Sequence, residues 1–463
     1  MLKSSKISKG SFFEISSIAW PMAANAVLLR SVGIVDLLLV ASLGEISVAA
    51  FGIAGAIMAF IIGIQGAIAN GTQLVVSRAV GAGDKLNVGA ETTSGWVANL
   101  GFSLLAIVAL YFGIEPLIHL ISHNDHVAVE AVSYVKISLI LLAFSSASHV
   151  FVSYFNACKK TKIPFYGFIL EIPVNVICSV VLIYGLWGMP KLGLAGAAWG
   201  SVIAIVIRFT YLAYRMKQEQ RIGRVAGLGK FSRRSLKIHL DEVIPIVANF
   251  VVLLTGQLVL QALFAQLSVS SYAAITLILP WIQIGSLFVN SWAQSSTIIV
   301  SQSLGQKNYA VIPDFVLESK LVATAMSLLM VLGFYLFSLS LPYLYGNLSA
   351  ETIAALAMIA PCYIFIPIFR TNNMFCGNMI RAMGESYLIV RINIITLLCI
   401  SIPLCALLIY LGAPLFMVFG IIIFDEMLKF YFFQRTLTNK LNKYRAMNAN
   451  SDPVSLGCGQ PGS

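Results

Sequence analysis

From Phe12 onward the chain alternates between long apolar runs and short polar breaks. The stretch Val48 to Ala69 carries no charged residue, and it exceeds the roughly 20 apolar residues a helix needs to cross the hydrocarbon layer of a membrane. The pattern recurs to the end of the chain and predicts spans at 13–42, 46–70, 91–112, 127–153, 163–187, 193–215, 242–265, 271–297, 318–341, 353–376, 388–410 and 415–434. Alternating strand-like segments of about ten residues, the mark of a membrane barrel, are absent. The expected fold class is an all-α polytopic membrane protein with twelve transmembrane helices.

Composition supports that class, with 59% hydrophobic and 11% charged residues over 463 positions. A soluble domain is nearer half apolar and about a quarter charged. The net charge of +11 changes the picture only through where the charge sits. With the N-terminus inside, the inner loops collect Lys3, Lys6, Lys9, Arg78, Lys85, Lys159, Lys160 and Lys162, the run from Arg215 to Lys237, and Lys307, Arg381, Arg435 and Lys440. The outer loops hold essentially Lys191 alone. That positive-inside bias places both termini in the cytoplasm, and it accounts for the basic loops without a nucleic-acid partner. The apolar run after the N-terminal lysines continues past Arg30 and Asp36 as one long segment, so it reads as a retained span and not as a cleaved signal. Five of the seven cysteines lie inside predicted spans, with Cys158 in a loop and Cys458 in the tail, so no disulfide or metal framework follows.

Sliding the sequence against itself by about 224 residues aligns Pro21 with Pro245, Asn25 with Asn249, Ser47 with Ser271, Val76-Ser77 with Val300-Ser301 and Gly81 with Gly305. Apolar helices match by chance at Ala and Leu, but rarely at Pro, Asn and Gly together. The offset contains six spans, an even number, so the two halves share one orientation. Parallel repeats of this kind are a plan used by transporters, with alternating access by rocking one half against the other. The expected layout is a six-helix lobe at 1–214, a basic cytoplasmic linker at 215–238, a second six-helix lobe at 239–437 and a disordered cytoplasmic tail at 438–463.

Two groups of motifs carry a family resemblance. The first span reads Trp20-Pro21, then Asp36, then Leu43-Gly44, with Ala49, Ala50 and Gly52 opening the second. The second closes on Gln65-Gly66-Ala67-Ile68-Ala69-Asn70-Gly71-Thr72-Gln73 and runs into Ser77-Arg78-Ala79-Val80-Gly81-Ala82-Gly83-Asp84. Thr161-Lys162-Ile163-Pro164, Pro173-Val174-Asn175 and Gly193-Leu194-Ala195-Gly196-Ala197-Ala198 follow, echoed by Gln302-Ser303-Leu304-Gly305 and Arg381-Ala382-Met383-Gly384-Glu385-Ser386. Over about residues 10 to 435 this resembles the multidrug and toxic compound extrusion (MATE) family in its bacterial NorM/DinF-like branches. The resemblance implies two lobes in a bacterial inner membrane, exporting amphipathic and often cationic compounds against an inward flow of protons or sodium ions. It implies no cofactor beyond the transported ion and no enzymatic activity. Partners expected are small amphipathic molecules and membrane lipids, and the chain is expected to work as a monomer. The family's ion-coupling acid falls on Asp36 and its fifth-span asparagine on Asn175. Some relatives have a second acid where this chain has Ser179. NorM-like relatives also have acids in the seventh and tenth spans, where this chain offers Gln257, Gln261 and Arg370.

An ionisable residue in a span usually faces a cavity or a partner and marks an ion or substrate path. Asp36 lies about seven residues, roughly 10 Å at helical rise, from the outer end of its span, and suits a group that takes a proton outside and releases it inside. Glu171, Asn175 and Ser179 are spaced i, i+4, i+8 and share one stripe of the fifth span. Asn175 is the preferred partner of Asp36, the alternative being a hydrogen bond that glues spans together. Glu171 is either a second proton carrier or the neutraliser of Arg30. Pro21 has no N–H for the carbonyl of Ser17 and crowds that turn, which makes either a static kink or a moving hinge, with Gly33 adding slack. Proton coupling is favoured over sodium, because a bare sodium ion needs several oxygen ligands and a proton needs one carboxylate.

Other constellations carry less. His119, His123, His126 and Glu130 have a spacing that passes for metal ligands, but nothing orients these loop residues, and no metal site is expected. Gly81-Ala82-Gly83-Asp84 is not a phosphate cradle, since no Lys-Ser/Thr follows it. A flippase for lipid-linked precursors shares a distant architecture, but would need a more basic central cavity and commonly extra spans. A membrane-embedded enzyme would need a polar catalytic cluster, and Asp425-Glu426, the adjacent acidic pair of the apolar region, has no histidine nearby.

Overall fold

The computed structural model describes residues 9–122, 124–221, 229–344 and 349–449. Among the described residues twelve long helices follow one another: α1 (Lys9–Ala41), α2 (Glu45–Gly81), α3 (Lys85–Ile121), α4 (Asp125–Ala157), α5 (Lys162–Tyr184), α6 (Leu194–Arg221), α7 (Arg233–Phe264), α8 (Val269–Gly305), α9 (Ile312–Leu344), α10 (Ala350–Ala382), α11 (Ser386–Tyr410) and α12 (Leu415–Ala449). Among the described residues, α1 to α11 are long and apolar enough to cross a membrane. The last expected span lies in α12, whose first half carries Asp425, Glu426 and Lys429. The helices outrun the predicted spans at many ends, because the polar flanks of Arg78, Arg221 and Arg381 remain helical beyond the apolar window. The fifth is an exception: it stops at Tyr184, where Gly185 takes a left-handed φ of 73° and closes the helix.

Local chemistry sets the breaks. The Asp84 side chain accepts from the backbone N–H of Leu86 and Asn87 and caps α3, and Asn124 caps α4 in the same way. Each such cap is worth about 1 kcal/mol of helix stability. Ser268 and Ser349 cap α8 and α10. The repeat is visible in the helices themselves. α2 and α8 both have 37 residues, and α4 and α10 both have 33. α2 and α8 begin, and end, 224 residues apart.

The compact units divide differently from the expected lobes. One comprises Ser17–Val251, the other Met1–Ser16 with Val252–Ser463. Each therefore contains part of a helix that the linear reading assigns to the other half. The opening of α1 belongs with the second unit, where Phe12 packs against Trp292 at 5.7 Å between ring centroids. The opening of α7 belongs with the first, held by Arg78 to Glu242 at 2.5 Å and by Thr72 to His239 at 3.0 Å. Gly71 permits this approach, since a Cβ there would lie 2.6 Å from Val243 Cγ2. The expected linker is helical at both ends, with 222–228 outside the described residues. The expected tail is helical to Ala449, and the rest of it also lies outside.

In the first unit α2 packs on α3 and α4, α4 on α3 and α6, and α5 on α6; in the second α10 packs on α8, α9 and α12. Apolar side chains fill both, including Ala54, Ile114, Ala131, Leu142 and Ala198 in the first and Phe264, Ile278, Tyr363 and Phe419 in the second. Buried polar side chains tie the first unit together. Gln65 donates to Ser103 at 2.8 Å and to the Leu142 carbonyl at 2.9 Å, and accepts from Ser145. Between lipid-surrounded helices such bonds contribute about 0.6 kcal/mol each.

Candidate functional site

The fifth-span stripe is one face of α5, and it meets α6. Glu171 accepts from Arg208 Nη1 at 2.6 Å, and the Asn175 side-chain amide donates to Ser201 Oγ at 3.0 Å. Ser179 lies against Gly200, where any Cβ would sit 2.7 Å from the Ser179 nitrogen. Helical spacing thus places the three on one line, and the small residues of α6 let the backbones close on them.

Arg208 is the site residue that sequence reasoning missed. It is 5% exposed, packs over the Phe168 ring at 4.4 Å, and lies within electrostatic reach of His149 on α4. A lone arginine in the apolar run Ile205-Val206-Ile207-Arg208-Phe209 was the available signal, because such a charge must find a partner. Glu171 is therefore matched by Arg208 and not by Arg30, whose side chain is exposed on α1.

Asp36 is buried on α1 at 7% exposure, and its Oδ1 has no hydrogen-bond partner among the described residues. Tyr134 of α4 lies within electrostatic reach of it. No hydrogen bond joins Asp36 to Asn175 among the described residues; the amide is turned to Ser201 instead. Asn175 Oδ1 and Ser179 Oγ are likewise buried without partners. Three oxygens of the expected ion-coupling set thus have no hydrogen-bond partner among the described residues.

α1 runs as an unbroken helix across Pro21, which is buried. The passage of α1 from one compact unit to the other falls at Ser16–Ser17, just over one turn before Pro21. Gly33 is exposed, and a Cβ there would meet nothing within 4 Å. Of the outer-loop histidine set, His123 lies outside the described residues, and Glu130 accepts from Ser47 at 2.7 Å. Asp84 is the α3 cap. The described cysteines are all free. Burial pushes the thiol of Cys158, in the turn after α4, up to about 11, so it stays protonated at neutral pH.

The MatE family model matches residues 21–181 and 245–407, one match in each repeat. The chain belongs to the MatE family. Its members are transporters and not enzymes. The chain is 25% identical over 439 residues to the uncharacterized transporter YisQ of Bacillus subtilis, covering 89% of this chain and 91% of that one. It is 24% identical over 298 residues to multidrug resistance protein NorM of Vibrio cholerae, covering 63% of this chain and 64% of the relative. Among solved structures, a MATE protein in the bent conformation superposes with a TM-score of 0.85 at 18% identity, covering 95% of this chain and 97% of the other. That last likeness establishes the MatE fold, a bundle of two six-helix repeats.

Proposed function

We propose that this MatE protein is a proton-coupled antiporter that exports amphipathic, often cationic, small molecules by alternating access, with Asp36 as the coupling acid. It would lie in the bacterial inner membrane with both termini in the cytoplasm, the orientation favoured by the basic loops. One observation carries the reading. Glu171 is held by Arg208 and Asp425 by Lys429, whereas Asp36, buried at 7% exposure, has no basic partner among the described residues; the half-buried Glu426 also pairs with no base there, but accepts from the Asn373 amide. A carboxyl group without a fixed counter-charge can change its protonation without leaving a cation stranded. Two relatives bear on cargo and direction: YisQ is named a transporter and NorM a multidrug resistance protein.

A sodium-coupled reading has an observation of its own. Asn175 Oδ1 and Ser179 Oγ are buried oxygens without donors, and hard cations take oxygen ligands. The two readings separate in proteoliposomes loaded with a fluorescent cation, with pH and sodium gradients imposed one at a time. Efflux is expected under the pH gradient alone. Efflux that survives collapse of the pH gradient and stops without the sodium gradient would reverse the choice of ion.

The turn Ser17–Pro21 is the hinge in this reading. Pro21 cannot donate to Ser17 and crowds the preceding turn, so α1 is weakest where it passes between units. A protonation change at Asp36 moves the helix only if its bent and straight forms differ in proton affinity. Pro21→Ala restores the backbone bond, and is expected to slow export at least threefold with normal yield of folded protein. A distance measured by spin labels across the outer half of α1 should change between about pH 8 and pH 6 in the unmutated protein. An unchanged distance would reduce Pro21 to a static feature.

A further inference from the structure

In the first unit α5 is the short helix, with 23 residues against 37 in α3 and 33 in α4. At 1.5 Å per residue it is about 34 Å long, barely more than the roughly 30 Å hydrocarbon layer. Lys162 opens it on the basic side, so its other end stops at headgroup depth. Any tilt brings that end closer to the acyl chains. α3 and α4, about 55 and 50 Å long, overrun the layer, and the turn that joins them carries the polar Ser122, Asn124, Asp125 and His126.

The loop between α5 and α6 has the opposite chemistry. It reads Leu186-Trp187-Gly188-Met189-Pro190-Lys191-Leu192, and Leu186, Trp187, Met189 and Leu192 are all exposed. Trp187 is 85% exposed and holds a left-handed φ of 56°, an outlier for so bulky a side chain. Strain of this kind persists only where the surroundings impose it, and it collects at functional positions. Here the surroundings are a fixed loop. The Met189 N–H donates to the Leu186 carbonyl at 3.1 Å, and the Leu192 N–H to the Leu182 carbonyl at 2.9 Å. α6 closes on the end of α5 so tightly that a Cβ on Gly196 would lie 2.6 Å from the Leu182 carbonyl carbon. The loop is thus held with its indole turned out, beside the exposed Lys191, the cation that the outer loops otherwise lack.

We propose that the loop 186–192 is a lipid-anchoring surface. Trp187, with Leu186 and Met189, seats at the boundary of headgroups and acyl chains in the adjacent leaflet, and Lys191 pairs with a phospholipid phosphate. An indole suits that depth because its body is apolar and its N–H is polar. A lysine there lays its stem along apolar surface and keeps its ammonium among the phosphates. A loop in water would gain nothing from four exposed apolar side chains and a strained tryptophan. The hydroxyls of Tyr184 and Ser42 meet at 2.6 Å, so the anchor sets the depth of the α1 end as well as that of α5. The proposal requires only that the helices span a membrane, whatever ion drives transport.

The test uses the full-length protein in vesicles of phosphatidylcholine and phosphatidylglycerol. The chain has six tryptophans, so the Trp187 fluorescence is taken as the difference between the parent and Trp187→Phe. If that variant folds poorly, Trp187→Asn, a residue at ease with a left-handed φ, gives the same difference. Lipid brominated near the glycerol end of its chains should quench the Trp187 signal at least twofold more than lipid brominated near the chain ends. Acrylamide in the buffer should quench it at least fivefold less than free tryptophan amide. Lys191→Glu should raise the acrylamide quenching at least twofold, and inorganic phosphate added to the parent should change neither value. A Trp187 signal that acrylamide reaches as freely as tryptophan amide, untouched by brominated lipid, would overturn the proposal. So would a signal shielded from both quenchers, the mark of a second copy of the chain seated on the loop. Shielding that is identical in the parent and Lys191→Glu would overturn the pairing with phosphate.

Discussion

Asp36→Asn is expected to lower gradient-driven efflux of a fluorescent cation at least tenfold, to the level of protein-free vesicles, while yield and thermal stability stay near those of the unmutated chain. Asparagine keeps the size of the side chain and its hydrogen-bonding capacity but cannot exchange a proton. Because Asp36 has no basic partner among the described residues, the substitution strands no counter-charge, and insertion should become easier, since a charge in a span is costly. Asp36→Glu restores an exchangeable carboxyl about one bond further out and should recover part of the rate. A well-folded Asp36→Asn variant with normal efflux would remove this residue from the mechanism, and with it the central argument for proton coupling.

Much of the fold was legible because its signals are local or periodic. Apolar runs gave the helices, and the matches Pro21 to Pro245 and Gly81 to Gly305 located a repeat that reappears as two 37-residue helices. The exchange of helix openings between units was not legible. Phe12 meeting Trp292 and Arg78 meeting Glu242 are tertiary contacts across long stretches of chain, and no periodicity encodes them. The site divides in the same way. The stripe of Glu171, Asn175 and Ser179 followed from helical spacing, but what it faces depends on α6: the amide of Asn175 turns to Ser201, and Glu171 turns to Arg208. Asp425 and Lys429, at i and i+4, had a readable spacing. The π-helical stretch Ile394–Ser401, from which Ser401 donates to Asp425 at 3.3 Å, has no sequence signature comparable to a proline or a cap.

The Glu171–Arg208 pair provides the second large effect, and separates a structural role from a proton-carrying one. Both side chains are well buried, at 15% and 6% exposure, with 2.6 Å between them. Removing one partner of such a pair costs about 3–5 kcal/mol, because the survivor is a buried charge without compensation. Arg208→Met should leave Glu171 in that state. Glu171→Gln should leave the Arg208 charge with a neutral amide and the Phe168 ring, the latter a cation–π contact worth about 2 kcal/mol when desolvated. Each single variant is therefore expected to lose most of its folded yield in detergent. The double variant Glu171→Gln/Arg208→Met removes both charges, and such replacements are often neutral or stabilising. Its stability should return to within about 1 kcal/mol of the unmutated protein, giving a coupling energy of at least about 2 kcal/mol in the cycle. Efflux by that double variant then decides the role of Glu171. If the pair only holds α5 against α6, pH-driven transport survives with an unchanged pH profile. A stable double variant that binds substrate but no longer couples efflux to the pH gradient would make Glu171 a second proton carrier, with Arg208 the charge that sets its affinity.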